Sequence, residues 1–150
     1  MKINLIKNKN NNLSKDIINV MIEYNIETSD IKQLFSYIEK YDNSIFVQED
    51  YELIPICYKD IVCFFSKDKY NYCQTLKGVY KVKSKLYEIE KIRNDFIRVS
   101  KKCIINIEHI KNFDLSKSGR IKINLDNNTF QYVSRRRVKY VMDFLDERMI

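Results

Sequence analysis

From Tyr51 onward the apolar residues come in short runs, each closed within a few positions by lysine, asparagine, aspartate or glycine. Runs of that length bounded by turn residues make strands. DIVCFFS (60–66) is apolar without alternation, the pattern of a central strand covered on both faces. KDKY then turns the chain and YNYCQTL pairs back, and Lys77 with Gly78 turns it again into VYKVK, giving a β-meander. The single proline, Pro55 in YELIPICY, lacks the N–H that a central strand must donate, so it marks an edge or a strand break. Further on, a strand around Ile110 to Leu115 is followed by RIKINL, in which Ile121, Ile123 and Leu125 alternate with Arg120, Lys122 and Asn124. Asp126 to Asn128 then turn the chain into TFQYV. Two short helices punctuate this pattern. Ser84 stands where it would cap KLYEIEKI, and a final helix from Arg135 carries Val138, Val141, Met142 and Leu145 on one side, as core packing or a dimer seam.

The chain before this point has a different texture. KINLI (2–6) alternates like an edge strand, KNKNNN is a polar loop, and the β-branched content of DIINVMIEY (16–24) favours a strand. Thr28, Ser29 and Asp30 offer caps for a helix from about Asp30 to Tyr41, whose Ile31, Leu34, Phe35 and Ile38 recur at helical spacing. With SIFVQ (44–48) as a further strand, residues 1–50 read as a small α/β module for dimerisation or partner contact, followed by a mostly β domain over 51–150. The fold class is α+β. The first module is too short by more than half for a phospho-acceptor receiver domain, so aspartyl phosphorylation within this chain is not expected to control it.

Catalysis finds little material. His109 stands alone beside Glu108, no carboxylate pair or activated nucleophile is evident, and with only Gly78 and Gly119 no phosphate-cradling loop can be built. Cys57, Cys63, Cys73 and Cys103 sit singly inside apolar runs, as reduced buried thiols in a reducing compartment would. We therefore expect neither enzyme nor disulfide, metal or cofactor. No signal peptide is apparent and the apolar runs are too short to cross a bilayer, so a soluble cytoplasmic protein is expected.

Charge is where the sequence turns informative. The formal net charge is +7, but the chain has no alanine and abundant Lys, Asn, Ile and Tyr, a bias that would raise lysine anywhere. Its distribution says more: residues 1–58 carry net −3 and residues 59–150 net +10, and all seven arginines lie in the second part. Three are consecutive, Arg135 to Arg137, after Ser134, which is placed to cap the last helix. Cations crowded at a helix N-terminus oppose its macrodipole, so something other than helix stability should hold them, and an external polyanion suits. A second stretch, FIRVSKKCIINIEHI, breaks a strand to display Ser100, Lys101 and Lys102. A third turn offers Lys67, Lys69, Tyr70 and Asn71.

Three cationic turns at strand ends suit duplex DNA, where lysines and helix-terminal groups hold phosphates and an arginine fork reads guanine. No helix has a helix-turn-helix partner, so readout from loops fits better. Structured RNA would need displayed aromatics, for which Tyr70 and Tyr72 are available. An anti-regulator that docks a partner through its acidic N-terminal module, without specific DNA binding, is the rival of another class.

The pieces DIVCFFSKDKY with YNYCQT, VKSKLYEIEK, FIRVSKKCIINIEHI and VSRRRVKYV stand in an order and spacing similar to those of LytTR-type DNA-binding domains, over about Asp60 to Leu145. The resemblance, to stand-alone LytTR regulators without a receiver, implies an elongated antiparallel β-fold with short helices whose loops enter successive major grooves. Two protomers would meet paired direct repeats of promoter DNA. It carries DNA contact to Lys69–Asn71, to Ser100 and Lys101, and to Arg136 with Arg135 adjacent. By the same analogy the first module would be controlled by a small membrane-protein partner. The family often has an acidic residue where this chain has Phe65, and histidine or asparagine near positions 100 and 101.

Overall fold

The structure is a computed structural model that describes residues 20–149, with the side chains of 39–42 left aside. It divides into two compact units, one ending at Asp42 and one beginning at Asn43. In the first, helix α1 (Ser29–Asp42) starts where expected. Thr28 caps it, its hydroxyl accepting from the Ile31 N–H at 3.4 Å, and Tyr24 packs edge-on against Phe35. The expected strand at 2–6 lies outside the described residues, as does the first part of the one at 16–24, and residues 20–24 form no strand.

The second unit is built on a five-stranded antiparallel sheet. Its strands are β3 (Ile61–Lys67), β4 (Tyr70–Thr75), β5 (Val79–Val82), β6 (Phe96–Ser100) and β7 (Cys103–Asn106), in the order β5-β4-β3-β7-β6. The continuously apolar run is the central strand, because both faces of the sheet are covered. A bulge between Ile61 and Cys63 turns Val62 and Cys63 to the same face. One face packs Ile61, Phe64, Cys73, Phe96 and Ile104 against a hairpin of β1 (Ser44–Glu49) and β2 (Glu52–Cys57) and against helix α2 (Leu86–Ile92). On the other face Val62, Ile97, Val99 and Ile105 meet a three-stranded sheet, β8 (Ile110–Asp114), β9 (Lys122–Leu125) and β10 (Phe130–Tyr132), together with helix α3 (Val138–Asp146). Val141 at the centre of α3 is fully buried, so its apolar stripe is core packing.

Three local readings need correction. SIFVQ does not join the N-terminal module: Ser44 to Glu49 pair residue by residue with Cys57 to Glu52, and Pro55 sits opposite Phe46 in this two-stranded sheet, where a missing N–H is tolerated. Ser84 does not cap α2. Lys85 takes that position, its N–H held at 2.8 Å by Glu88 from inside the first turn. Ser134 makes no side-chain cap, and α3 begins at Val138, because Arg135–Arg137 form a separate 3₁₀ turn ahead of it.

His109 is structural, with one ring nitrogen 2.7 Å from Asp126 Oδ2 and the other 2.6 Å from the Lys59 carbonyl. Cys63, Cys73 and Cys103 are buried thiols, as read from the sequence, and Cys57 is partly buried. Burial pushes the Cys73 thiol up to about 11, whereas Cys63 is lowered by the hydrogen bond from Cys103, which is itself raised. Among the described residues every buried side-chain nitrogen or oxygen has a partner, and no helix is long and apolar enough to cross a membrane.

Candidate nucleic-acid interface

Antiparallel register brings the first two cationic turns together. β3 runs toward Lys67 and β7 starts at Cys103, with Phe65 opposite Cys103, so the β3–β4 turn and the β6–β7 turn leave the same end of the sheet. The Ser66 N–H donates to the Lys102 carbonyl at 2.9 Å and ties one turn to the other. In the order β4-β3-β7-β6 the two turns are centred two strand spacings apart, about 10 Å.

The arginine turn joins them through a defect in the edge strand. Val99 is an extra residue between the Arg98–Ile104 and Ser100–Cys103 pairs, and its carbonyl accepts the Ser134 N–H at 2.9 Å. Arg135, Arg136 and Arg137 follow at once, closed by the Arg137 N–H on the Ser134 carbonyl. Arg98, Lys101, Ser134 and the three arginines line an open hollow of about 480 Å³.

Within this end of the sheet the sequence candidates divide into free and committed groups. Lys67, Lys69, Lys101, Lys102, Arg135 and Arg136 are exposed, with no side-chain hydrogen bond or ion pair among the described residues. Asn71 is committed, since its oxygen accepts from Ser66 Oγ at 2.6 Å and its amide donates to the Ser84 carbonyl at 3.1 Å. Ser100 Oγ accepts the Lys102 N–H and shapes its own turn. One face of the Tyr70 ring is covered by Lys81, with Nζ 3.5 Å from the centroid, and Tyr72 stacks on Phe65 at 5.4 Å. Tyr72 is therefore engaged, while Tyr70 keeps one ring face open.

Two residues that the sequence did not single out hold the site in shape. Arg98 is mostly buried; its Nε donates to the Ser100 carbonyl at 2.7 Å and an Nη to the Lys101 carbonyl, which fixes the turn from below. Glu90 of α2 accepts Arg98 at 3.3 Å with one carboxylate oxygen and faces Arg137 at 3.6 Å with the other. The available signal was that Arg98 is an arginine in a chain that otherwise favours lysine. Glu90 gave none.

Lys69 occupies an unusual backbone position. Asp68 and Lys69 have φ of 51° and 68°, both left-handed, as a two-residue type I′ hairpin turn requires. Glycine is the usual second residue there, because a side chain costs about 1 kcal/mol. Lys69→Gly is expected to raise stability by about 0.5–1 kcal/mol in urea unfolding. On DNA the same change should lower the slope of log affinity against log salt by about one contact. Unchanged salt dependence would remove Lys69 from the interface.

Residues 51–146 match the family model of the LytTr DNA-binding domain. Uncharacterized HTH-type transcriptional regulators of Staphylococcus aureus, strains COL and Mu50 among them, are 33% identical over 97 residues, spanning 64% of this chain and 66% of each relative. In fold the chain is similar to the LytTr DNA-binding domain of a protein described as a methyl-accepting/DNA response regulator from Bacillus cereus. That likeness has a TM-score of 0.64 at 24% identity and covers 69% of this chain and 96% of that one. Despite the name carried by the relatives, no two α-helices are consecutive among the described residues, so no helix-turn-helix is present there. With more than half of its length matched, this chain belongs to the LytTr DNA-binding domain family.

Proposed function

We propose that this protein is a sequence-specific transcriptional regulator that reads double-stranded DNA through strand-end turns and the arginine turn. The observation that supports this most directly is the shared sheet end, where unpaired lysines of two turns stand beside Arg135 and Arg136. Two turns centred about 10 Å apart are spaced by about three base-pair steps of roughly 3.4 Å, so both can engage one duplex. In this reading Arg136 reads a base, while Arg135, Lys69, Lys101 and Lys102 hold phosphates. Two protomers occupy paired direct repeats, and the N-terminal unit, which ends at Asp42, makes the dimer or meets a regulatory partner such as a small membrane protein. The protein works in the cytoplasm.

Selection by the full chain from a random-sequence duplex pool, at fixed salt, tests this. Enrichment of two repeats is expected, with the selected duplex resisting competition by heparin, random duplex and the corresponding RNA. An anti-regulator that does not read DNA would enrich nothing, and a structured-RNA binder would prefer the RNA. Lys102→Ala should weaken selected and random duplex alike and lower the salt slope by about 1. A loss confined to the selected duplex would make Lys102 a base reader instead.

A further inference from the structure

Glu90 is a carboxylate placed where neither its helix nor a polyanionic ligand favours it. It lies in the last turn of α2, at the end of the helix that prefers cations, and only a guanidinium length from the hollow proposed to face DNA. Both oxygens are used, by arginines from different elements. Arg98 of β6 is held at 3.3 Å and in turn grips the Ser100 and Lys101 carbonyls; Arg137 of the 3₁₀ turn is held at 3.6 Å, beside Arg135 and Arg136. One side chain thus joins the two cationic loops from below. It is about two-thirds buried, so its two ion pairs are less screened than surface pairs.

We propose that Glu90 is a positioning residue for sequence recognition: by clamping Arg98 and Arg137 it sets the distance and angle between the Lys101 turn and the Arg135–Arg136 turn. It touches no DNA. This rests on the DNA-reading function proposed above, and it makes a prediction that plain electrostatics reverses. A carboxylate near a phosphate-binding surface repels DNA, so removing its charge without other effect would strengthen binding to every duplex. Removing a clamp instead leaves the cations in place but misaligned, so base readout suffers while phosphate attraction does not.

The test uses the full-length chain with Glu90→Gln, and the duplex that the wild-type chain selects from a random pool beside a scrambled duplex. Affinity for the selected duplex is expected to fall about tenfold, within the range for loss of one base contact, while affinity for the scrambled duplex stays level or rises. Adding Glu90→Gln to Arg137→Met should cost little more than Arg137→Met alone. A parallel rise on both duplexes, or no change on either, overturns the proposal. A second measurement, free of DNA, separates its failure from that of the functional reading. In Glu90→Gln, amide hydrogen exchange should quicken at Lys102 and Arg137 together, with the sheet amides of β3 unchanged. Exchange altered at one turn only, or at neither, overturns the clamp even if no duplex is ever selected. Exchange quickened everywhere would show general destabilisation and overturn it too.

Discussion

Replacing Asn106 by alanine is expected to destabilise the domain by about 3 kcal/mol, or about 15 °C in thermal midpoint. Asn106 is fully buried at the end of β7, and both its amide hydrogens and its oxygen are engaged. Its amide donates to the Tyr58 carbonyl at 3.2 Å and the Ile61 carbonyl at 2.9 Å, and its oxygen accepts the Glu108 N–H at 3.0 Å. These bonds fasten the lead-in to the central strand, and the 3₁₀ turn after β7, to one point. Alanine takes this partner from the Ile61 carbonyl and the Glu108 N–H, each costing about 1–3 kcal/mol when buried without one, whereas the Tyr58 carbonyl keeps the Ile61 N–H. Asn106→Asp should be no better near neutral pH, since an ionised carboxylate would face two carbonyl oxygens and could donate to neither. Urea unfolding with an unchanged m-value measures the loss. Because Asn106 lies at the opposite end of β7 from the cationic turns, the fraction still folded should bind the selected duplex as wild type does. A stability change under 1 kcal/mol would mean that the Ile61 carbonyl and the Glu108 N–H find other partners. Reduced duplex affinity in the folded fraction would mean that the two ends of the sheet are coupled.

How much of this architecture the sequence discloses depends on the range of the interaction concerned. The central position of β3 is legible because a strand covered on both faces must be apolar without alternation. The β3–β4 hairpin and β9 are legible because turn residues and period-two patterning are local. The cationic turns could be found one by one. That they share an end of the sheet is a matter of register, and it follows once β3 is known to pair with β7. The pairing of β1 was misassigned because an apolar strand does not advertise its partner, and the β1–β2 turn at Asp50 carries no glycine to announce a hairpin. Ser84 and Ser134 looked like caps because serine favours that role. In the structure the first helical turn of α2 forms one residue later, and at Ser134 the backbone carbonyl takes the Arg137 N–H that a capping hydroxyl would have accepted. The pairing of Arg98 with Glu90 is invisible for a different reason. An ion pair between a strand and a helix eight residues back leaves no periodicity, and a glutamate on the polar side of a short helix reads as solvated.

The three consecutive arginines are not expected to be equivalent, and the division among them carries the second large effect. A 3₁₀ turn advances about 120° per residue, so three successive side chains leave in three directions. Arg137 points back to Glu90 and lies near the Tyr140 ring, whereas Arg135 and Arg136 are exposed and bond to nothing among the described residues. Expecting all three to await an external polyanion overlooked this, because the protein supplies one carboxylate itself. Under the proposed function, Arg136→Ala should cost about 1–3 kcal/mol on the selected duplex, roughly five- to 150-fold, and relax preference at one base pair. Arg136→Lys should recover little, since a point charge cannot replace a planar fork with two parallel donors. Arg135→Ala should weaken selected and random duplex together and lower the salt slope by about 1. Arg137→Ala should behave like loss of Glu90, with discrimination reduced more than attraction. Titrations of the three variants against a selected duplex and a panel of single base-pair changes, at two salt concentrations, separate these outcomes. Equal losses on selected and random duplex for Arg136→Ala would move base reading to another residue, and Lys101, which lines the same hollow, would be the next to test.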